Sequence, residues 1–304
     1  MDQPSSYHRP VMLQECIDGL NIDPKGIYVD VTFGGGGHSR EILKHLNEGH
    51  LYAFDQDQDA RANAENITKR SFTFIEANFR FLKRFLKLHN VGQVNGILAD
   101  LGVSSHQIDE PDRGFSTRFN AVLDMRMDQE ASLSAREVIN TYEERDLHRI
   151  LGMYGEVRNA RTLAAAIVAE RINRRIERVE DLIAILKKYA PRGREFKYYA
   201  QVFQALRIEV NGELQALEEF LVQAAEVLAP QGRLVIMSYH SLEDRMVKNF
   251  INSGNTAGKL EKDFYGNVLK PLHPFNKKPI TASVKETQEN NRARSAKLRI
   301  AIKK

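Results

Sequence analysis

The residues best suited to chemistry stand where a short apolar run meets four consecutive glycines. Residues 29–39 have the sequence VDVTFGGGGHS, which predicts a buried strand, a glycine turn and the start of a helix. Glycines in such a turn allow a ligand to approach the backbone and the N-terminus of the helix closely. A tight connection without a ligand would use the same residues, so the glycine run alone leaves both interpretations open.

A carboxylate follows the next apolar run. Asp55 ends the segment HLYAFD at residues 50–55, about 20 residues after the glycines, where nucleotide-binding α/β proteins place an acidic residue that binds ribose hydroxyls. Both features would lie at the carboxyl edge of a parallel sheet, where such proteins bind their ligands. Together they predict a nucleotide site.

The kind of nucleotide follows from motifs that the chain lacks. A dinucleotide fingerprint needs Gly-x-Gly-x-x-Gly, but Ser39 takes the third place if Gly34 and Gly36 are the first two glycines. The chain also has no Tyr-x-x-x-Lys pair and no Gly-Lys-Ser/Thr phosphate loop. S-adenosylmethionine has a ribose and an adenine but no phosphate, so this set of residues suits it better.

Strands and helices alternate along most of the chain. Strands are predicted at residues 26–33, 50–55, 71–77, 94–100, 232–239 and 296–303. Helices are predicted at about 39–46, 58–69, 79–89 and 241–252, with one long amphipathic stretch at 201–229. This alternation predicts an α/β fold, a Rossmann-like doubly wound parallel sheet with helices on both faces.

One region departs from the alternation. Between residues 132 and 190 apolar residues recur at helical spacing and no strand is predicted. We therefore expect an inserted all-helical domain at 108–200, between a first part of the core at 1–107 and a second part at 201–304. Residues 253–290, rich in Gly, Asn, Lys and Pro, are interpreted as a surface excursion.

Composition restricts the class of protein further. The chain has 304 residues, of which 42% are hydrophobic, enough for a large core. It has no run of about 20 apolar residues, and residues 1–10 lack the apolar segment of a secretion signal, so a cytoplasmic protein with no membrane span is expected. The single cysteine, Cys16, is interpreted as a buried apolar residue.

Positive charge is concentrated in two regions. Residues 151–200 contain 11 Lys and Arg against 6 Asp and Glu, and residues 270–304 contain 10 against 2. Such regions favour binding to RNA, although solvated side chains would give the same counts. In the insertion, the cluster expected to bind RNA is formed by Arg174, Arg175 and Arg178. The C-terminal group, expected either to contact phosphates or to stay solvated, is formed by Arg292, Arg294, Lys297 and Arg299.

Other polar clusters are given structural interpretations. The sequence Ser104-Ser105-His106 lacks the Gly-x-Ser-x-Gly elbow of a hydrolase. Ser241, which precedes acidic residues, is predicted to be a helix N-cap. Asp124 and Asp128 have no neighbouring His or Cys, so no metal site is expected there.

Seven ordered segments resemble the ribosomal RNA small subunit methyltransferase H family. They cover most of the chain and have the sequences GIYVDVTFGGGGHS (26–39), DLGVSSHQID (100–109), RGFS (113–116), LDMRMD (123–128), VFQALRIEVNGEL (202–214), SYHSLEDRMVK (238–248) and NNRARSAKLRIA (290–301). The resemblance implies a class I methyltransferase sheet with a helical insertion. It also implies transfer of a methyl group from S-adenosylmethionine to N4 of a cytidine in the decoding region of 16S rRNA, within the small ribosomal subunit.

The family's cofactor contacts can be assigned to residues of this chain. The resemblance implies that the cofactor is bound by Gly36, Gly37, His38, Asp55, Phe79, Asp100 and Gln107. Two segments depart from the family pattern. This chain has Asp55-Gln56-Asp57 where the family usually has Asp-Arg-Asp, and residues 117–122 after RGFS are also unusual.

Asp100 is the candidate catalytic residue. An exocyclic amine is a weak nucleophile, and a carboxylate beside it would stabilise developing positive charge and accept a proton. The Asp/Asn-Pro-Pro-Tyr signature of many amino-methyltransferases is absent, and DLGV stands in its place. Two alternatives stay open at this point: a nucleotide-binding or RNA-chaperone module without catalysis, and a dehydrogenase.

Overall fold

The computed structural model describes residues 10–304, which divide into two compact units. The sheet unit consists of the chain up to Gly102 and from Leu214 onward, and the helical unit is the continuous stretch Val103–Glu213. The first nine residues, most of the segment in which no secretion signal is predicted, lie outside the described residues.

Seven strands form one sheet in the sheet unit. They are β1 Ile27–Asp30, β2 His50–Asp55, β3 Phe72–Glu76, β4 Val94–Asp100, β5 Leu228–Ser238, β6 Leu272–Pro274 and β7 Lys297–Lys303. Their order is β3-β2-β1-β4-β5-β7-β6. The first five strands pair in parallel, and β7 is antiparallel to β5 and β6. The Rossmann-like fold class is confirmed, with a mixed rather than wholly parallel sheet.

Both faces of this sheet are covered, as its alternating side chains require. Val29, Ile97 and Ile236 belong to one core, which is completed by helices α4 (Leu82–Leu88), α11 (Glu213–Val227) and α12 (Ser241–Ser253). Tyr28, Leu98 and Val235 face the other core, completed by α1 (Leu13–Leu20) and α2 (Gly37–His45). Two further helices of this unit are α3 (Asp59–Glu65) and α13 (Val284–Glu289).

The helical unit has a core of its own. Its helices are α5 Ser105–Asp109, α6 Ala135–Thr141, α7 Glu144–Met153, α8 Ala160–Asn173, α9 Val179–Tyr189 and α10 Glu195–Asn211. Leu147, Leu163, Leu182 and Leu206 are completely buried there. The unit extends beyond the predicted range of 108–200 at both ends, and at its C-terminal end it does so because α10 packs in this core.

The long amphipathic stretch is therefore two helices. Gly212, between α10 and α11, adopts a left-handed backbone conformation with φ of 57°, which favours glycine and ends α10. Helices α1 and α13 and strand β6 were not predicted from the sequence. None of the described helices is both long and apolar enough to cross a membrane.

Candidate active site

The order of the strands places a ligand crevice between β1 and β4. The connections turn in opposite directions at this point, and doubly wound sheets bind ligands there, beyond the carboxyl ends of the strands. Three strands end in aspartate at this edge: Asp30 on β1, Asp55 on β2 and Asp100 on β4. The sequence predicted Asp55 and Asp100 as site residues but missed Asp30.

Asp30 is the most deeply buried of the three aspartates, with 1% of its surface exposed. Its carboxylate accepts hydrogen bonds from the Ser39 hydroxyl at 2.7 Å and from the Thr32 amide at 3.1 Å. The sequence does contain a signal for Asp30, since it is the last charged residue before the glycine run. The hydrogen bonds mean that Asp30 joins β1 to the start of α2 as well as supplying negative charge.

Asp55 holds the glycine loop. One carboxylate oxygen accepts a hydrogen bond from the Gly34 amide at 2.7 Å, and the other accepts one from the Asp57 amide at 2.9 Å. A ribose hydroxyl would therefore share this carboxylate with the protein backbone. Gln56 accepts a hydrogen bond from the Asn78 side chain at 2.6 Å, so the residue that departs from the family pattern joins the ends of β2 and β3.

Packing within the protein already requires Gly36 and Gly37. Gly36 has φ of 73°, and a Cβ atom there would lie 2.6 Å from the Phe33 ring. A Cβ atom at Gly37 would lie 2.3 Å from Cγ of Pro10. Part of the glycine signal is therefore explained by a tightly packed turn, and the two residues stay predicted cofactor contacts.

His38, Asp100 and Tyr239 form a polar cluster at the end of β4. The Tyr239 hydroxyl donates a hydrogen bond to Asp100 Oδ1 at 2.7 Å, and His38 Nδ1 lies 3.8 Å from Asp100 Oδ2. The other ring nitrogen of His38 lies 3.2 Å from the carbonyl oxygen of Val11. Thr32 accepts a hydrogen bond from the Asp100 amide at 2.6 Å, which fixes the backbone from which the carboxylate projects.

Desolvation controls the charge of this edge. Burial raises the pKa of both Asp55 and Asp100 to about 6, and nearby Asp30 contributes to both shifts. Burial is also the main cause of the raised pKa of Asp30. The Asp100 side chain is 24% exposed, yet enough protein surrounds it to disfavour its charged form. A cationic ligand would relieve this accumulation of negative charge.

Burial is also the main cause of the raised pKa of Tyr239, and Asp100 raises it further. Tyr239 is therefore a neutral hydrogen-bond donor at physiological pH. Burial likewise raises the pKa of Cys16, which remains a thiol in the apolar core, as predicted.

The two remaining predicted contacts lie in different units. Phe79 follows β3 in the sheet unit and packs edge-to-face against Phe220 with 5.3 Å between ring centroids. Gln107 lies in the helical unit on α5, where its side-chain oxygen accepts a hydrogen bond from the Ser104 amide at 2.9 Å. This bond belongs to the N-cap of α5, so Gln107 has a structural role besides any contact with a ligand.

A cavity of about 270 Å³ opens beside Tyr239. Its lining residues are Tyr239, His240, Ser241, Thr281, Arg294, Ser295, Ala296 and Lys297. Lys297 pairs with Asp244 at 3.2 Å and Arg299 pairs with the same carboxylate at 2.7 Å, so two of the C-terminal cations are partly neutralised within the protein. Arg294 is exposed and supplies positive charge to the cavity.

The N-cap of α12 is His240 and not Ser241, so that prediction is wrong. The backbone leaves the helical conformation at His240, and the Glu243 carboxylate accepts hydrogen bonds from the Tyr239 amide at 3.0 Å and the His240 amide at 3.4 Å. Ser241 is the first helical residue. Glu243 thus fixes the backbone next to Tyr239, which is the residue that contacts Asp100.

Several motif segments in the helical unit hold one another in place. The Arg113 side chain donates hydrogen bonds to the carbonyl groups of Arg126 and Met127, and Asn211 bonds to the backbone of Met125 and Met127. Asp124 forms a bidentate pair with Arg126, at 2.9 and 2.7 Å, which gives it a role other than metal binding. These segments therefore maintain the structure of the unit.

Comparison with known proteins gives close relatives. The model of the MraW methylase family matches residues 5–304. A protein named ribosomal RNA small subunit methyltransferase H from Cytophaga hutchinsonii is 61% identical over 295 residues, covering 97% of this chain and 99% of the relative. Its namesake from Flavobacterium johnsoniae is 55% identical over 304 residues and covers 100% of both chains. Among solved structures, TrmN from Thermus thermophilus has a TM-score of 0.44 and 12% identity, covering 96% of this chain and 48% of that chain.

The sheet order defines a Rossmann-like fold, and the match to a methylase family model makes the protein a methyltransferase of this fold. The chain belongs to the MraW methylase family, because the family model spans nearly all of it. S-adenosylmethionine is accordingly the methyl donor. Its ribose and its positive charge fit a site whose side chains are carboxylates.

We predict that Asp55→Asn weakens binding of S-adenosylmethionine by about 10- to 150-fold, because one charge-assisted hydrogen bond to the ribose is lost. Isothermal titration measures the effect. Asp57→Asn is a matched control, since Asp57 is a buried aspartate two residues further along the same loop. If folded Asp55→Asn protein binds S-adenosylmethionine as tightly as wild type does, Asp55 is not a cofactor contact.

Proposed function

We propose that the protein methylates N4 of a cytidine in the decoding region of 16S rRNA, within the small ribosomal subunit. The observation that carries the proposal is the Asp100 carboxylate, which lies at the ligand edge of a methylase fold and is contacted by a neutral tyrosine hydroxyl. The names of the relatives specify ribosomal RNA of the small subunit as their substrate. The proposed place of action is therefore the cytoplasm.

The chemistry requires the amine to be aligned with the methyl group. The N4 lone pair attacks the methyl carbon while the carbon–sulfur bond breaks, which leaves S-adenosylhomocysteine as the second product. Nitrogen becomes positively charged as the new bond forms, and it must then lose a proton. Asp100 is suited to stabilise this charge and to accept the proton, because a group with a pKa of about 6 is mostly a carboxylate at neutral pH.

Tyr239 is proposed to position Asp100. Its hydroxyl donates to one carboxylate oxygen, which leaves the other oxygen available for the amine. The cavity beside Tyr239 is the proposed approach for RNA, with Arg294 facing the phosphate backbone. A base must leave its stack to reach such a site, so unpaired RNA should be a better substrate than a stable duplex.

Membership in a methylase family favours this function over the two alternatives. A dehydrogenase would bind a nicotinamide cofactor, and an RNA chaperone would bind RNA without transferring a methyl group. Mass mapping of methylated nucleosides in 16S rRNA, from cells with and without this chain, tests the proposal directly. If cells without this chain keep every methylated cytidine found in cells with it, the proposal is refuted.

We predict that Asp100→Asn lowers the maximal rate of methyl transfer at least about 100-fold, because the lost charge acts in the transition state. Asparagine can still accept the hydrogen bond from Tyr239, so the local structure should persist. Single-turnover methylation with preloaded S-adenosylmethionine separates this step from binding. A near-normal rate under saturation would leave Asp100 as a cofactor ligand only.

We also predict a pH effect of Tyr239→Phe. Methyl transfer should decline below about pH 6 in the wild type as Asp100 becomes protonated. The tyrosine hydrogen bond favours the charged carboxylate, so its removal should raise the pKa of Asp100 and move the acidic limb upward by about one to two pH units.

The control for this experiment is Tyr28→Phe. The Tyr28 hydroxyl accepts a hydrogen bond from the Asp23 amide at 2.7 Å, on a strand whose other end forms the site. Its loss should leave the acidic limb in place. An identical pH profile for Tyr239→Phe and wild type would show that the hydroxyl does not tune Asp100.

RNA binding by the helical unit is part of the proposal, but the structure changes which residues are expected to provide it. Arg174 pairs with Asp181 at 3.0 Å, Arg175 pairs with Glu177 at 2.9 Å, and Arg178 bonds to Asn120. The two ion pairs reduce the positive charge available to RNA, and the guanidinium of Arg178 is held by neutral oxygen atoms of Asn120. The start of α10 instead exposes Arg192, Arg194 and Lys197 around Phe196, which is 84% exposed.

We predict that replacing Arg192, Arg194 and Lys197 together with Gln weakens RNA binding and makes its salt dependence shallower, by up to about two to three units of the logarithmic slope. The matched control replaces Arg174, Arg175 and Arg178 with Gln, and a smaller change is expected. Fluorescence anisotropy across a series of salt concentrations measures both. Equal slopes for wild type and the first variant would show that these cations are only solvated.

A further inference from the structure

Two aromatic side chains project from a loop after α12 into solvent. Phe264 is 97% exposed and Tyr265 is 86% exposed, and their rings meet edge-to-face at 5.6 Å. Adjacent aromatic rings this exposed add almost no burial to the fold, although large aromatic residues ordinarily contribute by being buried. Their role must therefore lie outside the core of the sheet unit.

The loop that carries these rings is well ordered by its own hydrogen bonds. We call residues 259–270 the aromatic hairpin. The Asp263 carboxylate accepts hydrogen bonds from the Tyr265 amide, the Asn267 amide and the Asn267 side chain, at 2.9, 2.9 and 3.0 Å. Backbone bonds from Asp263 to Asn267 and from Leu269 to Glu261 close the ribbon. The two rings are thus presented by a defined turn.

The base of the aromatic hairpin is also fixed. Asn255 bonds to Lys259 through both its side-chain nitrogen, at 2.7 Å, and its side-chain oxygen, at 3.0 Å. Asn249 donates a hydrogen bond to the carbonyl group of Thr256 at 2.9 Å, which attaches the segment to α12. A partner that binds the rings would therefore lose little conformational entropy in the protein.

The aromatic hairpin contains three lysines and two acidic residues, so it carries a small net positive charge. Lys259, Lys262 and Lys270 lie in the aromatic hairpin, and no ion pair joins them to a carboxylate within residues 10–304. The acidic residues are Glu261, which is exposed, and Asp263, which stays ionised because its hydrogen bonds with Asn267 hold its pKa below the usual range. The Asp263 carboxylate is engaged by the turn itself. One short segment thus carries two exposed aromatic rings and three lysines.

We propose that the aromatic hairpin binds unpaired nucleotides of the RNA substrate, with bases stacked on Phe264 and Tyr265 and phosphates contacted by the three lysines. Proteins that bind single-stranded RNA combine aromatic platforms with positive charge in this way. This inference rests on the proposed function, because it assumes an RNA substrate. It adds a binding surface separate from the strand edge where the methyl group is transferred.

The chain offers a direct probe of stacking, since it contains no tryptophan. Tyr265→Trp introduces a single indole, whose fluorescence should be quenched when a single-stranded oligoribonucleotide of mixed sequence is added. Leu88→Trp, at an exposed position on α4, is the control and should show little quenching. Absence of quenching at position 265, with RNA bound, would overturn the proposal.

Substitutions that remove the rings test their contribution to affinity. The double variant Phe264→Ala and Tyr265→Ala should bind the same RNA about 10- to 100-fold more weakly, since each stacked base contributes to affinity. Replacing both residues with Leu should have nearly the same effect, because an aliphatic side chain has no aromatic face. Wild-type affinity in the Leu variant would indicate simple apolar contact and would contradict stacking.

Methylation assays separate failure of this inference from failure of the proposed function. If wild-type protein methylates naked rRNA and the Ala variant binds it equally well, the inference fails and the function stands. If the Ala variant methylates naked rRNA normally and loses activity only on small ribosomal subunits, the hairpin contacts a protein and the inference also fails. If wild-type protein methylates neither substrate, the proposed function fails first.

Discussion

Burial of three carboxylates at one edge of the sheet is the constraint on which the site depends. Asp30, Asp55 and Asp100 end neighbouring strands. Asp30 is buried, and Asp55 and Asp100 keep some exposure but are surrounded by enough protein to raise the pKa of each carboxyl. Without a ligand this arrangement is unfavourable at neutral pH, because burial favours the protonated forms. Above about pH 6 the folded protein must hold charges that the unfolded chain would expose to solvent, so these groups oppose folding there. A positively charged methyl donor offsets that cost, which links occupancy of the site to stability of the sheet unit.

The protein limits the cost by giving each carboxylate hydrogen-bond donors. Ser39 and Thr32 serve Asp30, the amides of Gly34 and Asp57 serve Asp55, and Tyr239 serves Asp100. One of these donors, the Gly34 amide, lies in the glycine turn, and Thr32 and Ser39 flank the turn. The turn and its flanks therefore have a second purpose besides allowing a ligand to approach, since they donate hydrogen bonds to the carboxylates. This explains why glycines that pack tightly against Phe33 and Pro10 can still belong to a binding site.

Local patterns predicted much of this organisation. Strands of alternating or continuous apolar residues are visible in the sequence, and so are Asp55 and Asp100, because each ends such a strand. Asp30 was missed because it lies inside the glycine motif, where the glycines alone already predicted a ligand site, although its position at a strand end is equivalent to the other two.

The limits of the helices were harder to predict. The end of α10 was missed because Gly212 interrupts an apolar periodicity that continues on both sides of it. His240 as a helix N-cap depends on the side chain of Glu243, and no propensity of histidine would indicate it. Tertiary packing also decides which core a helix joins. The limits of the helical unit could therefore not be located from periodicity alone.

The division of the chain has a consequence for the order in which the protein can form during synthesis. The helical unit is one continuous stretch with its own core, so all of its residues are available once Glu213 has left the ribosome. The sheet, in contrast, pairs β4 with β5, and more than a hundred residues separate Asp100 from Leu228. That pairing must wait for the later segment, and the loop-closure entropy of joining the strands is smaller if the intervening chain has already become compact. The pairing of β4 with β5, at whose edge Asp100 lies, is thus formed late. By then the helical unit, which follows Asp100 in the sequence, has had time to fold.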